Sequence, residues 1–178
     1  MKRQIKTRNL LRRKSQAGMT LIETLIALVV LMIVAVNVMA LAIVAISTTE
    51  NQGHLSARTA EYAQDKMEQL MALGYGDQIS NTTVFPTTTS PAGTGLSIGG
   101  SSNPNAPVAG YVDYLDVSGN LVSSTANWYY IRVWQVSAAG SSGQLKQIAV
   151  TSRVNALVGA NSGVLPQSTV VALKSNPF

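Results

Sequence analysis

The sequence predicts an α+β protein in which one long N-terminal helix packs on a small antiparallel sheet. Three observations carry that prediction. Thr24–Ile46 is a 23-residue run without a formal charge. The segment after it, Ser47–Leu73, is amphipathic at helical spacing. Beyond residue 110, several runs alternate apolar and polar residues around Gly-rich connectors, as half-buried strands do.

In the apolar run only Thr24 and Asn37 are clearly polar. About 20 apolar residues suffice to cross the hydrocarbon core as a helix, and a soluble core helix would show a polar face that this run lacks. The run is therefore expected to span a membrane. Of the 13 Lys and Arg in the 178 residues, Lys2, Arg3, Lys6, Arg8, Arg12, Arg13 and Lys14 all precede Gly18, while all eight acids follow Met19. Bases ahead of an apolar span keep that end in the cytoplasm, so the remainder is exported. The body is mildly acidic, with six bases against eight acids, which gives nucleic-acid binding by the body no support. The absence of cysteine excludes disulfides, thiol catalysis and thiolate metal sites.

An ordinary secretory signal has a shorter apolar region with its small-residue cleavage site on the far side. Here the small pair, Ala17-Gly18, lies on the near side of the run, in "AGMTLIE". A cut between Gly18 and Met19 removes the basic leader, keeps the apolar segment and makes Glu23 the fifth residue of the mature chain. The pattern "GMTLIETLIAL", with the basic leader and the apolar helix around it, resembles the processing and methylation motif of type IV prepilins and type II secretion pseudopilins. The resemblance implies the type IV pilin fold. It assigns cleavage after Gly18 and N-methylation of Met19 to the prepilin peptidase/N-methyltransferase, and it makes Glu23 the characteristic acid. It further implies a basic leader over 1–18, a transmembrane and filament-core helix over 19–47, and a periplasmic head over 48–178. The chain would pass once through the inner membrane before assembly and stand in a pilus or pseudopilus afterwards, among other pilin subunits. No cofactor or metal is expected.

A carboxylate at mid-bilayer costs about 2.5–3.5 kcal/mol on insertion scales. Near the cytoplasmic end of the span, Glu23 reaches the interface instead. In a water-poor filament core it needs a partner, and the resemblance implies one: the positive N-terminus of a neighbouring subunit, a pairing that would set axial register. The alternative reading is that Glu23 only snorkels to the membrane surface.

In Ser47–Leu73, Leu55, Tyr62, Met67, Leu70 and Leu73 recur at roughly helical spacing, with Arg58, Glu61, Asp65, Lys66 and Glu68 assigned to the other faces. Gly74-Tyr75-Gly76 is the expected stop, near residue 74. The segment "AQDKMEQLMAL" is also similar to the stretch after the membrane helix in PilV-like minor pilins and in I-type minor pseudopilins, which points to a minor subunit. Residues 79–110 hold no charge and are crowded with Ser, Thr, Gly, Pro and Asn. They read as a long loop against the head, with short strand pieces near Val84-Phe85. Asn81-Thr82-Thr83 matches a glycosylation acceptor, a pattern short enough to be common by chance.

Antiparallel sheet is expected over 111–175. Tyr111–Val117 alternates, turns at Ser118-Gly119-Asn120 and resumes at Leu121-Val122. Asn127–Ser137 and Leu145–Leu157 flank a Gly-rich connector and read as a hairpin, and Ser168–Ser175 adds an edge strand. Trp128, Tyr130, Arg132, Trp134 and Val136 share one side of their strand.

A catalytic constellation is not expected. His54 is the only histidine and lies on a polar turn of the helix, whereas a metal site needs several ligands. Asp113 and Asp116, three apart on a strand, fall on opposite faces, a poor arrangement for acid/base work. The Trp128, Tyr129, Tyr130 and Trp134 group reads as core and sheet-face packing, since no basic patch adjoins it. Arg132 and Arg153 are expected to face each other's strand. The leading functional reading is a minor pilin-like subunit of a type IV pilus. Its rivals are a minor pseudopilin of type II secretion and, in another class, a pilus-tip adhesin or binding module.

Overall fold

The computed structural model describes residues 20–140, 143–155 and 165–177. Its contacts divide the chain into two units, with the boundary between Ala45 and Ile46.

One helix, α1, runs over Leu21–Ala72. It starts at Thr20, whose hydroxyl accepts the Glu23 N–H at 3.3 Å and whose carbonyl accepts the N–H groups of Glu23 and Thr24. Thr20-Leu21-Ile22-Glu23 thus has the T-x-x-E spacing of a helix start, with an acid in the first turn where the macrodipole favours it. In the first unit every side chain from Leu21 to Ala45 is exposed, and none of the most apolar 18-residue window is buried. The two polar side chains of the run bond their own backbone: Thr24 Oγ1 donates to the Leu21 carbonyl at 2.8 Å, and Asn37 Nδ2 to the Ile33 carbonyl at 2.9 Å. Each thus makes a hydrogen bond within the helix, which lowers the cost of placing it in an apolar solvent.

In the second unit the remainder of α1 lies on an antiparallel sheet. Thr59, Tyr62, Ala63, Lys66, Met67 and Leu70 are its buried positions, recurring every three or four residues. The helix ends at Ala72, two residues before Gly74.

Among the described residues the sheet has six strands: β1 (Gly99–Gly100), β2 (Val112–Leu115), β3 (Leu121–Val122), β4 (Tyr130–Ala139), β5 (Leu145–Val154) and β6 (Gln167–Ser175). Their order is β3-β2-β4-β5-β6, with β1 paired to the stretch of β4 that β2 leaves free. The expected hairpin is present as β4–β5, in register from Tyr130 opposite Val154 to Ala139 opposite Leu145. The expected edge strand is β6, paired with β5. Trp134, Val136, Ile148 and Val150 form one core with Ala63, Met67 and Leu70, and Tyr130, Leu115 and Val154 form another with Tyr62.

Two expectations fail here. Val84-Phe85 forms no strand. The 79–110 segment instead contributes Gly99-Gly100 to the sheet, which therefore begins before residue 111. At Gly100 φ is +81°, and a Cβ would collide with the Trp134 carbonyl and the Tyr111 ring, so only glycine allows that pairing. Arg132 on β4 and Arg153 on β5 do lie across from each other's strand, as expected, but on opposite faces of the sheet. Arg132 is opposite Ser152 and Arg153 opposite Ile131, and residues that pair directly across a ladder lie on the same face.

The rest of the 79–110 segment is loop, as expected, but it is anchored. Leu96 is fully buried, and its carbonyl accepts Lys146 Nζ at 2.8 Å. Asp77 gathers the loop's first turn by accepting the Ile79 and Ser80 N–H groups and the Ser80 hydroxyl. Burial works to raise the Asp77 pKa, yet the Ser80 and Ile79 hydrogen bonds outweigh it and hold the carboxyl below its ordinary value. A depressed carboxyl contributes stability that is present above its unfolded pKa and is lost as pH falls through the folded one. Asp77→Asn is therefore expected to flatten the fall of the denaturation midpoint below about pH 4, measured by urea unfolding across the acid range. An acid limb as steep as that of the parent would show that Asp77 does not contribute to it.

Candidate functional site

The first candidate is the exposed apolar stretch of α1 with Glu23 in its first turn. Glu23 is exposed there, and the two residues assigned to processing, Gly18 and Met19, lie outside the described residues. What this stretch can do follows from its surface. From Leu21 to Ile46 the large apolar side chains are exposed all around the helix. A monomeric soluble protein rarely shows so continuous an apolar surface, and lipid or other helices of the same kind would cover it.

The second candidate lies within the second unit, between α1 and the sheet, and the sequence reading missed it. Lys66, assigned above to an outer face of the helix, is buried. Its Nζ lies 2.7 Å from Asp113 Oδ2, and both side chains are at most 1% exposed. Lys66 Nζ also donates to the Thr82 carbonyl and sits 4.2 Å above the Trp134 ring. Arg132 reaches the same carboxylate oxygen from β4 at 2.8 Å and contacts Asp65 Oδ2 at 2.7 Å. Its Nη1 also donates to the Tyr62 carbonyl at 3.3 Å. Two cations and two carboxylates thus meet from α1, β2 and β4. Burial pushes the Lys66 ammonium below its ordinary pKa, and the Asp113 carboxylate works against that push.

Each of the three buried charges sits in the inward phase of its own element. Lys66 is four residues after Tyr62 and four before Leu70. Asp113 lies between inward Tyr111 and Leu115, and Arg132 between inward Tyr130 and Trp134. A charge on the apolar phase of an element is the signal that could have found them.

The other singled-out residues remain dispersed. His54 is exposed, and no group of three or more His, Asp or Glu able to hold a metal occurs among the described residues. Asp116 caps the β2–β3 turn by accepting the N–H groups of Ser118 and Asn120, away from Asp113. In that turn Gly119 has φ +88° and lies against the Tyr62 ring, a place for glycine alone. Asn81 Oδ1 accepts the N–H and hydroxyl of Thr83. Trp134 and Tyr130 are core, as expected, while Trp128 packs at a ring distance of 5.3 Å on Tyr114.

A prokaryotic N-terminal methylation motif matches residues 13–36. That motif fits a type IV prepilin or pseudopilin precursor. The match takes in the end of the basic leader, Gly18, Met19, Glu23 and the first half of the apolar run. The long apolar helix and the small antiparallel sheet are an α+β arrangement consistent with the type IV pilin fold. The motif's family is one of structural subunits, and the motif implies processing by prepilin peptidase and assembly with other pilin subunits. No curated protein and no solved structure matches the chain.

Proposed function

We propose that the protein is a minor pilin-like subunit of a type IV pilus. In this reading its precursor sits in the inner membrane with residues 1–18 in the cytoplasm and the head in the periplasm. Cleavage after Gly18 and methylation of Met19 release it for assembly through α1, in which Glu23 sets axial register. The observation that carries the reading is the methylation motif placed directly on a helix whose apolar surface is exposed all around. Such a surface suits lipid first and sister helices later, and neither exchange leaves a backbone polar group unpaired. The similarity of "AQDKMEQLMAL" to the corresponding stretch of PilV-like subunits supports the minor role.

The head's part in this reading is to stay folded while α1 changes neighbours. A helix fixed to its sheet by three buried charges resists rotation or slippage, because any shift separates Lys66 and Arg132 from Asp113.

The test is the fraction of the protein found in pili sheared from the cell surface. The parent chain is expected in that fraction. Glu23→Ala is expected to insert and be trimmed normally but to appear there at a several-fold lower level. A parent protein absent from surface pili contradicts the pilus assignment, and equal levels of the two contradict the register role of Glu23.

A further inference from the structure

Of the two clearly polar residues in the apolar run, Asn37 alone lies deep within it. It comes 13 residues after Thr24 and nine before Ile46. At 1.5 Å per residue those intervals are about 20 Å and about 14 Å. A span of this run therefore places Asn37 near the middle of a hydrocarbon core about 30 Å thick. The side chain is exposed. One amide hydrogen goes to the Ile33 carbonyl at 2.9 Å. A carboxamide carries two N–H donors and an oxygen acceptor, so a second hydrogen and Oδ1 remain, with no partner among the described residues. The register role of Glu23 does not use them. Lipid tails offer neither donor nor acceptor, and polar groups left unmatched in hydrocarbon are costly.

A partner for this amide must present hydrogen-bonding groups at the same depth. A second copy of the chain does so. Two copies enter the bilayer in the same direction, so their Asn37 side chains lie level, and each amide can donate to the other or accept from it. Apolarity alone singles out no face of the helix, because its large side chains are exposed all around. The amide singles one out. Steps of four and three residues through Asn37 give Ile26, Val30, Ile33, Asn37, Ala40 and Val44, the 3.5-residue spacing of a parallel two-helix seam. Asn37 then shares its heptad position with the β-branched Val30 and Val44. That is the position at which a single Asn fixes register and the number of helices. Ala40, one turn on, is small enough to let the helices approach closely. Ile33, Val36 and Asn37 also border an open groove. In such a seam they are three of the residues around the hole that receives Asn37 of the second copy.

We infer that the chain pairs with a second copy of itself in the membrane, through a parallel helix seam centred on an Asn37–Asn37 hydrogen bond. The inference rests on α1 being a membrane span and goes beyond it, since it concerns the chain before any filament forms.

The test is Förster transfer between donor- and acceptor-labelled full chains in phosphatidylcholine vesicles, over a series of protein-to-lipid ratios. The chain has no cysteine, so Asn176→Cys, exposed just after β6, carries the label. Transfer above that of randomly placed chains is expected for the parent. Asn37→Leu removes the amide at similar size and leaves the run more apolar, so it should insert as the parent does. Its association is expected to be about three- to tenfold weaker. Asn37→Gln keeps the amide and should fall between the two. Parent chains that transfer no more than random ones overturn the inference, as does an Asn37→Leu association equal to the parent's. Chains that do not float with the vesicles overturn the membrane span on which it rests, a result distinct from a monomer within the bilayer.

Discussion

Asp113→Ala is expected to lower the unfolding free energy of the second unit by about 3–5 kcal/mol, the usual loss when one partner of a buried ion pair is removed. The carboxylate is fully buried and is shared by two cations that are themselves 1% and 3% exposed. Without it, Lys66 keeps only the Thr82 carbonyl and the Trp134 face, and Arg132 keeps Asp65 and the Tyr62 carbonyl. Neither can recover hydration without opening the helix–sheet contact. Asp65→Ala is the internal contrast. Its side chain is half exposed, so solvent screens the pair and replaces the lost partner, and a cost of about 0–1 kcal/mol is expected. Urea unfolding of the full chain in micelles, followed by near-ultraviolet circular dichroism, measures both. Equal losses for the two variants would show that burial does not decide the energetics of this cluster.

Gly18→Val is expected to leave nearly all of the protein as full-length precursor in the membrane. The consequence extends beyond an uncut bond. The retained leader carries seven bases, each costing about 2.5–3.5 kcal/mol in an apolar environment by insertion scales. Such a segment cannot follow α1 into a filament core, so the variant should also be missing from sheared pili. Immunoblotting of membrane and pilus fractions reads both effects. A trimmed Gly18→Val chain in the pilus fraction would contradict cleavage at this position.

Much of the fold was legible in the sequence because local patterns agreed with one another. The charge-free run gave the apolar helix, and the alternation in Asn127–Ser137 and Leu145–Leu157 gave the central hairpin. β1 was not legible, because Gly99-Gly100 has poor strand propensity and its pairing follows from how closely Trp134 and Tyr111 approach it. The ion cluster was half legible. Lys66, Asp113 and Arg132 each break an apolar phase, which a stricter reading of the periodicities would have marked. Their partnership depends on which strand crosses the helix at which height, and residues 66, 113 and 132 are too far apart in sequence for spacing to show it. The expectation that Lys66 lies on an outer face of its helix failed for this reason, whereas Arg58 and Glu61 do lie outside and form a pair at 3.1 Å. Thr20-Leu21-Ile22-Glu23 lies in the stretch that resembles the processing motif, and the same four residues also start the helix.

The assignment is tested most directly by the intact mass and N-terminal sequence of the protein purified from its native membrane or filament. Cleavage after Gly18 predicts a chain that begins at Met19 with a methylated amine and retains the whole apolar helix. A native chain that still begins at Met1, or that has been cut beyond Ile46, would contradict it.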